Sequence, residues 1–185
     1  MANTVNNVST GKPKVSGAVF RAPLGSTLPT DATTALDAAF VAMGYVSEDG
    51  LSNENSVESD NVKAWGGDIV LATQTDREDK FSFTCIESMN LEVLKAYYGS
   101  ENVTGTLAEG ITVTANTKDL GAHCWVFDMV LRGGGFKRIV VPNGMVSETG
   151  EVVYVDDEPI GYELTVTAMP DASGNSHYEY IKRSA

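Results

Sequence analysis

The sequence predicts a mainly β protein, an antiparallel β-sandwich or barrel-like fold with one or two α-helices at its flank. Three observations predict it. From Phe136 to Asp171, three β-branched or aromatic runs are separated by Pro142-Asn143-Gly144, by Thr149-Gly150 and by the acidic turn Asp156-Asp157-Glu158-Pro159. Such punctuation between alternating runs is a hairpin signal. Tyr162, Leu164, Val166 and Ala168 alternate with Glu163, Thr165 and Thr167, and Phe81, Phe83 and Cys85 alternate with Lys80, Ser82 and Thr84. Each reads as a half-buried strand with one polar face. The run Ala122–Arg132 is apolar on both faces, with Trp125, Phe127, Met129 and Leu131 opposed to Cys124, Val126, Asp128 and Val130. About eight or nine strands and two helices result, with no internal repeat and no linker, so the chain reads as one domain over residues 1–185.

In chain order, residues 1–16 are polar and read as a flexible arm. Gly17–Ala22 is a short strand stopped by Pro23. Pro29-Thr30-Asp31 opens a first helix, capped by Asp31, with Leu36, Phe40 and Met43 at helical spacing and Gly44 as its stop. Tyr45–Ser47 is a brief strand. Glu48–Lys63 follows, acidic, rich in Asn and Ser, and without a core-facing pattern; a tract this long reads as a functional loop. Strands are expected at Asp68–Thr75 and Lys80–Ser88. A second helix covers Leu91–Tyr98, capped by Asn90, with Glu92 in its first turn and Gly99 after its last. Ile111–Ala115 and Ala122–Arg132 are strands, and Gly133-Gly134-Gly135 turns the second of them into Phe136–Val141.

Composition narrows the function. A chain of 185 residues with 42% apolar content can build an ordinary core, and no run approaches the ~20 apolar residues of a membrane helix. No apolar segment near the start reads as a secretion signal, so the sequons at Asn7 and Asn102 read as chance matches. The net charge is −12, and the acids are clustered. Glu48, Asp49, Glu54, Glu58 and Asp60 form one baseless run, and Glu148, Glu151, Asp156, Asp157, Glu158 and Glu163 form another. Phosphate binding works through Lys and Arg, so this is the wrong sign for a nucleic-acid binder. Aromatics set in a basic groove, which single strands need, are not found.

Catalytic patterns are weak. His123 and Cys124 are adjacent on a strand and point to opposite faces, although His123 could reach Cys85 across strands. There is no G-x-S-x-G elbow, and two histidines with two cysteines make a poor zinc set. Asp156, Asp157 and Glu158 lack the twelve-residue calcium-loop pattern. Cys85 reads as a buried free thiol, and Asp128 as an edge or interface acid rather than a general base. No catalytic, cofactor-binding or metal-binding residue is assigned, and no cofactor is expected.

One family carries the pattern. The segments GKPKVSGAVFRAPLGSTLPTDATTALDAAFVAMGYVSEDG, AWGGDIV, KRIVVPNGMVSETGEVVYVDDEPIGYELTVTAMPD and HYEYIK resemble the major tail tube proteins of bacteriophages with long non-contractile tails. The resemblance runs from about Ser9 to Ile181. It implies a tail tube subunit, six copies of which close into rings that stack head to tail into the conduit for genome ejection. It further implies a virion protein assembled in the host cytoplasm, meeting tape measure, tail terminator and distal tail proteins. DNA would pass without specific binding, and the chain would not insert in a membrane.

Two surfaces are expected to serve that role. Lys80, Ser82, Thr84, Glu163, Thr165 and Thr167 are the candidate lumen face, short, mostly hydroxylated and nearly free of bases. Glu48, Asp49, Glu54, Glu58 and Asp60, in the 48–63 segment, are the candidate inter-ring contact, so shortening Asp49–Asp60 is expected to spare the monomer and stop stacking. The competing reading is a virion or cell-surface β-sandwich that binds or decorates, presenting Trp65, Tyr97 and Tyr98 to carbohydrate. A small β-rich hydrolase is the third.

Overall fold

The computed structural model describes residues 3–15 and 17–183. In chain order its strands are β1 (Gly11–Pro13), β2 (Val19–Pro23), β3 (Val41–Ala42), β4 (Val46–Lys63) and β5 (Ile69–Cys85). The helix α1 (Leu91–Tyr98) follows, then β6 (Val103–Thr106), β7 (Gly110–Val113), β8 (Ala122–Leu131), β9 (Phe136–Thr149), β10 (Tyr162–Ala168) and β11 (Tyr178–Lys182). All but β6 and β7 join one antiparallel sheet in the order β3-β2-β8-β9-β10-β5-β4. β1 continues the β2 edge of β8, and β11 continues the β10 edge of β9. β6 and β7 make a separate hairpin.

The sheet curls on itself, and aromatic packing shows it. Phe81 on β5 stacks on Phe127 of β8 with ring centroids 5.3 Å apart, and Phe83 meets Trp125 edge-on at 5.9 Å. β9 and β10 lie between those strands, so a flat sheet would hold them about 14 Å apart, at three strand spacings. Curling brings the inward faces of β5, β8, β9 and β10 around one core, closed by Val93 and Leu94 of α1. A smaller core covers the other face of β8 and β9, where Cys124, Val126 and Val140 meet Phe40, Leu28 and Leu36. This explains why Ala122–Leu131 is apolar on both faces.

The second expected helix is present with its expected caps. Asn90 Oδ1 accepts from the Glu92 amide at 3.0 Å, and the Gly99 amide donates to Lys95 O at 3.0 Å. The first expected helix does not form. Asp31 does accept from the amides of Thr33 and Thr34, as a cap should. But residues 31–40 stay irregular, and β3 occupies part of the expected helix. The physical reason lies on another strand: Arg138 Nη1 donates to the carbonyls of Asp31 (3.1 Å) and Thr34 (2.7 Å), which helical turns would need as acceptors. The apolar spacing of Leu36 and Phe40 serves the second core without helical geometry.

Further expectations are corrected. The segment Glu48–Lys63 is strand rather than loop, paired along β5, and the two strands expected at Asp68–Thr75 and Lys80–Ser88 are one. Pro142-Asn143-Gly144 is no turn but a bulge inside β9: His123 faces Gly144 while Trp125 faces Val141. Proline tolerates a bulge, which wastes its missing N–H. Gly144 is there for close approach, since a Cβ would lie 2.8 Å from Trp125 Cδ1, and the indole Nε1 donates to Gly144 O at 3.2 Å. Residues 151–155 form no strand. Of the arm expected over residues 1–16, Met1, Ala2 and Ser16 lie outside the described residues. Gly11–Pro13 form β1 against β8, and Ser9 Oγ accepts from the Arg132 amide.

Candidate assembly surfaces

The six residues of the candidate lumen face are brought together as three cross-strand pairs of β5 and β10. Thr84 faces Glu163, Ser82 faces Thr165 and Lys80 faces Thr167. Their neighbours Phe81, Phe83, Cys85, Tyr162, Leu164 and Val166 point through the sheet into the core, so period two fixes the polar side. Hydroxyls knit it laterally: Ser82 Oγ lies 2.9 Å from Thr165 Oγ1, and Thr167 Oγ1 donates to Ser147 Oγ at 2.7 Å. The one base there is covered. Lys80 Nζ sits 3.0 Å from Glu78 and 3.6 Å from Glu148. The hydrogen bond and charge of Glu78, with Glu148 adding, hold that ammonium above its ordinary pKa. With Glu54 opposite Lys80 on β4, the face is hydroxylated, acid-biased and without a free cation.

The same face runs out onto an arm. β10 accompanies β5 only as far as Lys80, whereas β4 stays paired to β5 from Leu51–Phe83 out to Lys63–Ile69. Beyond Asp79 the β4–β5 hairpin therefore has no other strand of the described residues beside it, and Ile69–Asp79 reaches roughly 35 Å at 3.3 Å per residue. Of the candidate inter-ring acids, Glu48 and Asp49 lie at its base, where the register shifts between Val46 and Leu51. Glu54, Glu58 and Asp60 lie along it, and all five are exposed. Glu58 faces Asp76 directly, a like-charge pair that disfavours the hairpin in isolation. At the tip the Ala64 amide donates to Asp68 O, and Gly66 and Gly67 hold φ of 117° and 99°, a turn that suits glycine. Trp65 stands there fully exposed.

Buried charges fasten the surfaces to the core. Asp79, 2% exposed at the root of the arm, accepts from Asn53 Nδ2 (2.8 Å) and Ser176 Oγ (2.8 Å) and pairs with His177 Nδ1. Burial pushes its carboxyl up, but the hydrogen bonds from His177, Asn53 and Ser176 outweigh that and leave it below its ordinary value. Arg21 reaches Glu92 of α1 at 3.3 Å. Asp128 is neither an edge nor an interface acid: it is 3% exposed and grips the Arg138 guanidinium in a bidentate pair, Nε–Oδ1 2.6 Å and Nη2–Oδ2 2.8 Å.

Nothing among the described residues draws the nucleophile candidates together. Cys85 pairs in register with Tyr162 and Val46, and His123 with Pro23 and Gly144, with two strands between them in the sheet. Burial, with Glu87 adding, pushes the Cys85 thiol up to about 12, and burial also raises Cys124, whose Sγ lies 3.1 Å from Pro142 O. Asp156, Asp157 and Glu158 are exposed in a bend, and no three His, Cys, Asp or Glu among the described residues are grouped to hold a metal. Trp65 and the tyrosines of the carbohydrate reading lie near opposite ends of β5. Tyr97 and Tyr98 pack on Tyr162 at 5.2 and 6.3 Å, half-buried against the core.

Sequence reading missed Asp79 and His177 as a clasp, because their pairing joins residues 98 positions apart. The position of Asp79 two residues before Phe81, on the inward-facing parity of β5, was the available signal. It also missed Trp65 as the tip of an arm, although Trp65-Gly66-Gly67-Asp68 ahead of the apolar run Ile69–Ala72 is turn chemistry.

A curled antiparallel sheet with a polar outer face, a projecting hairpin and inert thiols defines a structural subunit. The chain belongs to the phage tail tube protein family, whose model matches residues 4–185. It is thus a structural protein of the phage tail and a component of the virion, not an enzyme. A distant likeness, with a TM-score of 0.45 and 8% identity over 97% of this chain and 98% of the other, links it to the cryo-EM structure of the anti-feeding prophage cap, a tube-terminating cap. No curated protein matches it. No helix among the described residues is long and apolar enough to cross a membrane.

Proposed function

We propose that this chain is the repeating subunit of the tail tube, that six copies close into a ring, and that rings stack head to tail with the β5–β10 face lining the lumen. The observation that carries the proposal is the continuity of that hydroxylated, acid-biased face with the projecting β4–β5 arm, one for the cargo and one for the next ring. Six subunits at −12 each carry −72. DNA carries about one negative charge per 1.7 Å of axis, so such a wall repels it and leaves no counterion release to hold it. Genome ejection needs a cargo that slides, and Lys80, the one base on the face, is already paired. Lateral closure of the ring covers sheet edges that would otherwise pair at random. The tube would meet the tape measure inside and the terminator and distal tail proteins at its ends, after assembly in the host cytoplasm.

Negative-stain microscopy of concentrated protein tests this. Rings or tubes with a central channel are expected, together with negligible duplex-DNA binding at moderate salt. Monodisperse particles at every concentration would overturn the assembly. Micromolar DNA binding that weakens steeply with salt would overturn the lumen assignment.

A further inference from the structure

The chain between β10 and β11 does more than connect them. β10 pairs with residues 144–149 of β9 and β11 with residues 136–140, so residues 169–177 span the stretch of β9 between the two. They are fastened at both ends. The Met169 amide donates to Asn143 O at 2.8 Å, and Tyr178 stands in register with Val140. Between these points Asp171 holds a turn. Its Oδ1 accepts from the amides of Ser173 (2.8 Å) and Asn175 (3.0 Å), and its Oδ2 accepts from the Tyr178 hydroxyl at 2.7 Å. Such side-chain bonds to the following amides lock a turn locally. At the far end of this segment, Ser176 and His177 both reach Asp79 of β5. Asp79 is the first residue toward the arm's tip after Lys80, the last that β10 accompanies. It therefore stands at the arm's pivot, and Asn53 Nδ2 donates to the same carboxylate from β4. A two-stranded ribbon twists more than strands held inside a sheet, so its direction needs an outside hold.

We propose that residues 169–177 are a strap that sets the direction of the β4–β5 arm, with His177 as the positioning residue that carries the hold from β9 to Asp79. Two observations select His177. Its Nδ1 is turned to the carboxylate, which can only accept, so the imidazole donates. Its ring stands edge-on to Phe81, with centroids 5.4 Å apart and planes at 87°, and this contact with the core fixes where that proton points. Ser176 Oγ adds a second bond from the same strap at 2.8 Å. A hold at the pivot governs the far end. With roughly 35 Å between Asp79 and Ile69, a swing of about 10° moves the tip by roughly 6 Å. The direction of the arm is a property of the single subunit, whereas its consequence for assembly rests on the stacked-tube reading. An arm that points in the competent direction for about a tenth of the time weakens its contact about tenfold.

Spin labels at Asp68→Cys and Ile181→Cys, both exposed positions, report the distance from arm tip to β11 by pulsed electron paramagnetic resonance on dilute full chain. The native thiols, Cys85 and Cys124, are buried. In this labelled background His177→Asn and His177→Gln are compared. Asn puts its amide nitrogen where Nδ1 stands, Gln puts its own where Nε2 stands, and both lose the ring on Phe81. A histidine that only stabilises the fold would make the two variants alike. The strap predicts a narrow distance distribution in the unaltered chain and in His177→Asn. In His177→Gln, at a Tm equal to that of His177→Asn, it predicts one broader by several ångström, as the roughly 6 Å of tip travel requires. Without labels, His177→Gln is expected to need about tenfold more protein to form tubes, and His177→Asn the unaltered concentration. A His177→Gln distribution as narrow as the unaltered one, or a His177→Asn distribution as broad as that of His177→Gln, overturns the strap. Where a histidine variant fails to fold, Ser176→Ala, which keeps the ring, carries the test: a broadened distribution is expected, and an unchanged one overturns the strap. Absence of tubes from the unaltered protein overturns the stacked-tube reading, while the distance distributions still decide the strap.

Discussion

Replacing Arg138 by Met isolates the buried pair that decides how residues 31–40 fold. Met keeps the apolar stem and removes the guanidinium, which is 1% exposed and holds four acceptors: both oxygens of Asp128 and the carbonyls of Asp31 and Thr34. Removing one partner of a buried ion pair costs about 3–5 kcal/mol, because the remaining charge stays buried. Lys14 Nζ, 3.4 Å from Asp128 Oδ2 and partly exposed, softens that loss. The two orphaned carbonyls add to it, at about 1 kcal/mol each. A net loss of about 4 kcal/mol is therefore expected. At 2–4 °C per kcal/mol for a domain of this size, Tm should fall by roughly 8–16 °C.

Denaturant unfolding of dilute monomer, followed by tryptophan fluorescence, measures the loss directly. Asp128→Leu in the Arg138→Met background should recover at least half of it, since a buried pair replaced by apolar groups is often neutral. Residues 31–40 should become the first site of limited proteolysis in the single variant. A single-variant loss under about 1 kcal/mol, or a double variant no more stable than the single, would refute the buried-charge account.

Three further outcomes are expected. Asp79 has a depressed folded-state pKa, so its contribution is present above the unfolded carboxylate pKa of about 3.9 and is lost as pH falls through the lower folded value. Asp79→Asn should flatten that acid limb in pH-dependent unfolding, and an unchanged limb would count against the clasp. Replacing Val57–Arg77 by Asn-Gly, which joins the cross-strand pair Ser56 and Glu78, should shift Tm by only a few degrees, because a freestanding hairpin is marginal by itself. Long tubes should be lost, and their persistence would dismiss the arm. In the native protein both thiols should resist alkylation at neutral pH and react after denaturation; rapid native labelling of Cys85 would contradict its burial and its pKa near 12.

Strands that border the core were legible because one of their faces is apolar. β10, the inner half of β5 and α1 with its Asn90 and Gly99 caps follow from period, cap and stop alone. The polar side of β5 and β10 was legible for the same reason: once Phe81, Phe83 and Cys85 point inward, Lys80, Ser82 and Thr84 must point to the other side, and β10 repeats the logic. What failed depended on partners distant in sequence. Asp31 caps a helix that Arg138, 107 residues away, prevents by taking its carbonyls. Gly144 looked like a turn because glycine marks turns, whereas its missing side chain makes room for Trp125.

The segment 48–63 failed for a different reason, and that reason bears on assembly. Strand patterns become visible when one face is buried, and beyond Asn53 neither face of β4 is buried in the subunit. Its order comes from pairing with β5 across the turn at residues 64–68, a signal that the period of β4 by itself does not carry. Acids on one face of β4, Glu54, Glu58 and Asp60, then do two things at once. They keep an exposed strand from pairing with stray chains, as charged edges do, and through Glu58 opposite Asp76 they disfavour the hairpin by itself. The arm is therefore weakest where it is alone and gains most from a neighbour that covers its apolar tip. Shortening Asp49–Asp60 would have cut into the wrong place, since Leu51 packs on the core and Asn53 serves the Asp79 clasp. The boundary between fold and arm lies beyond Asn53, where the side chains of β4 no longer pack on the core.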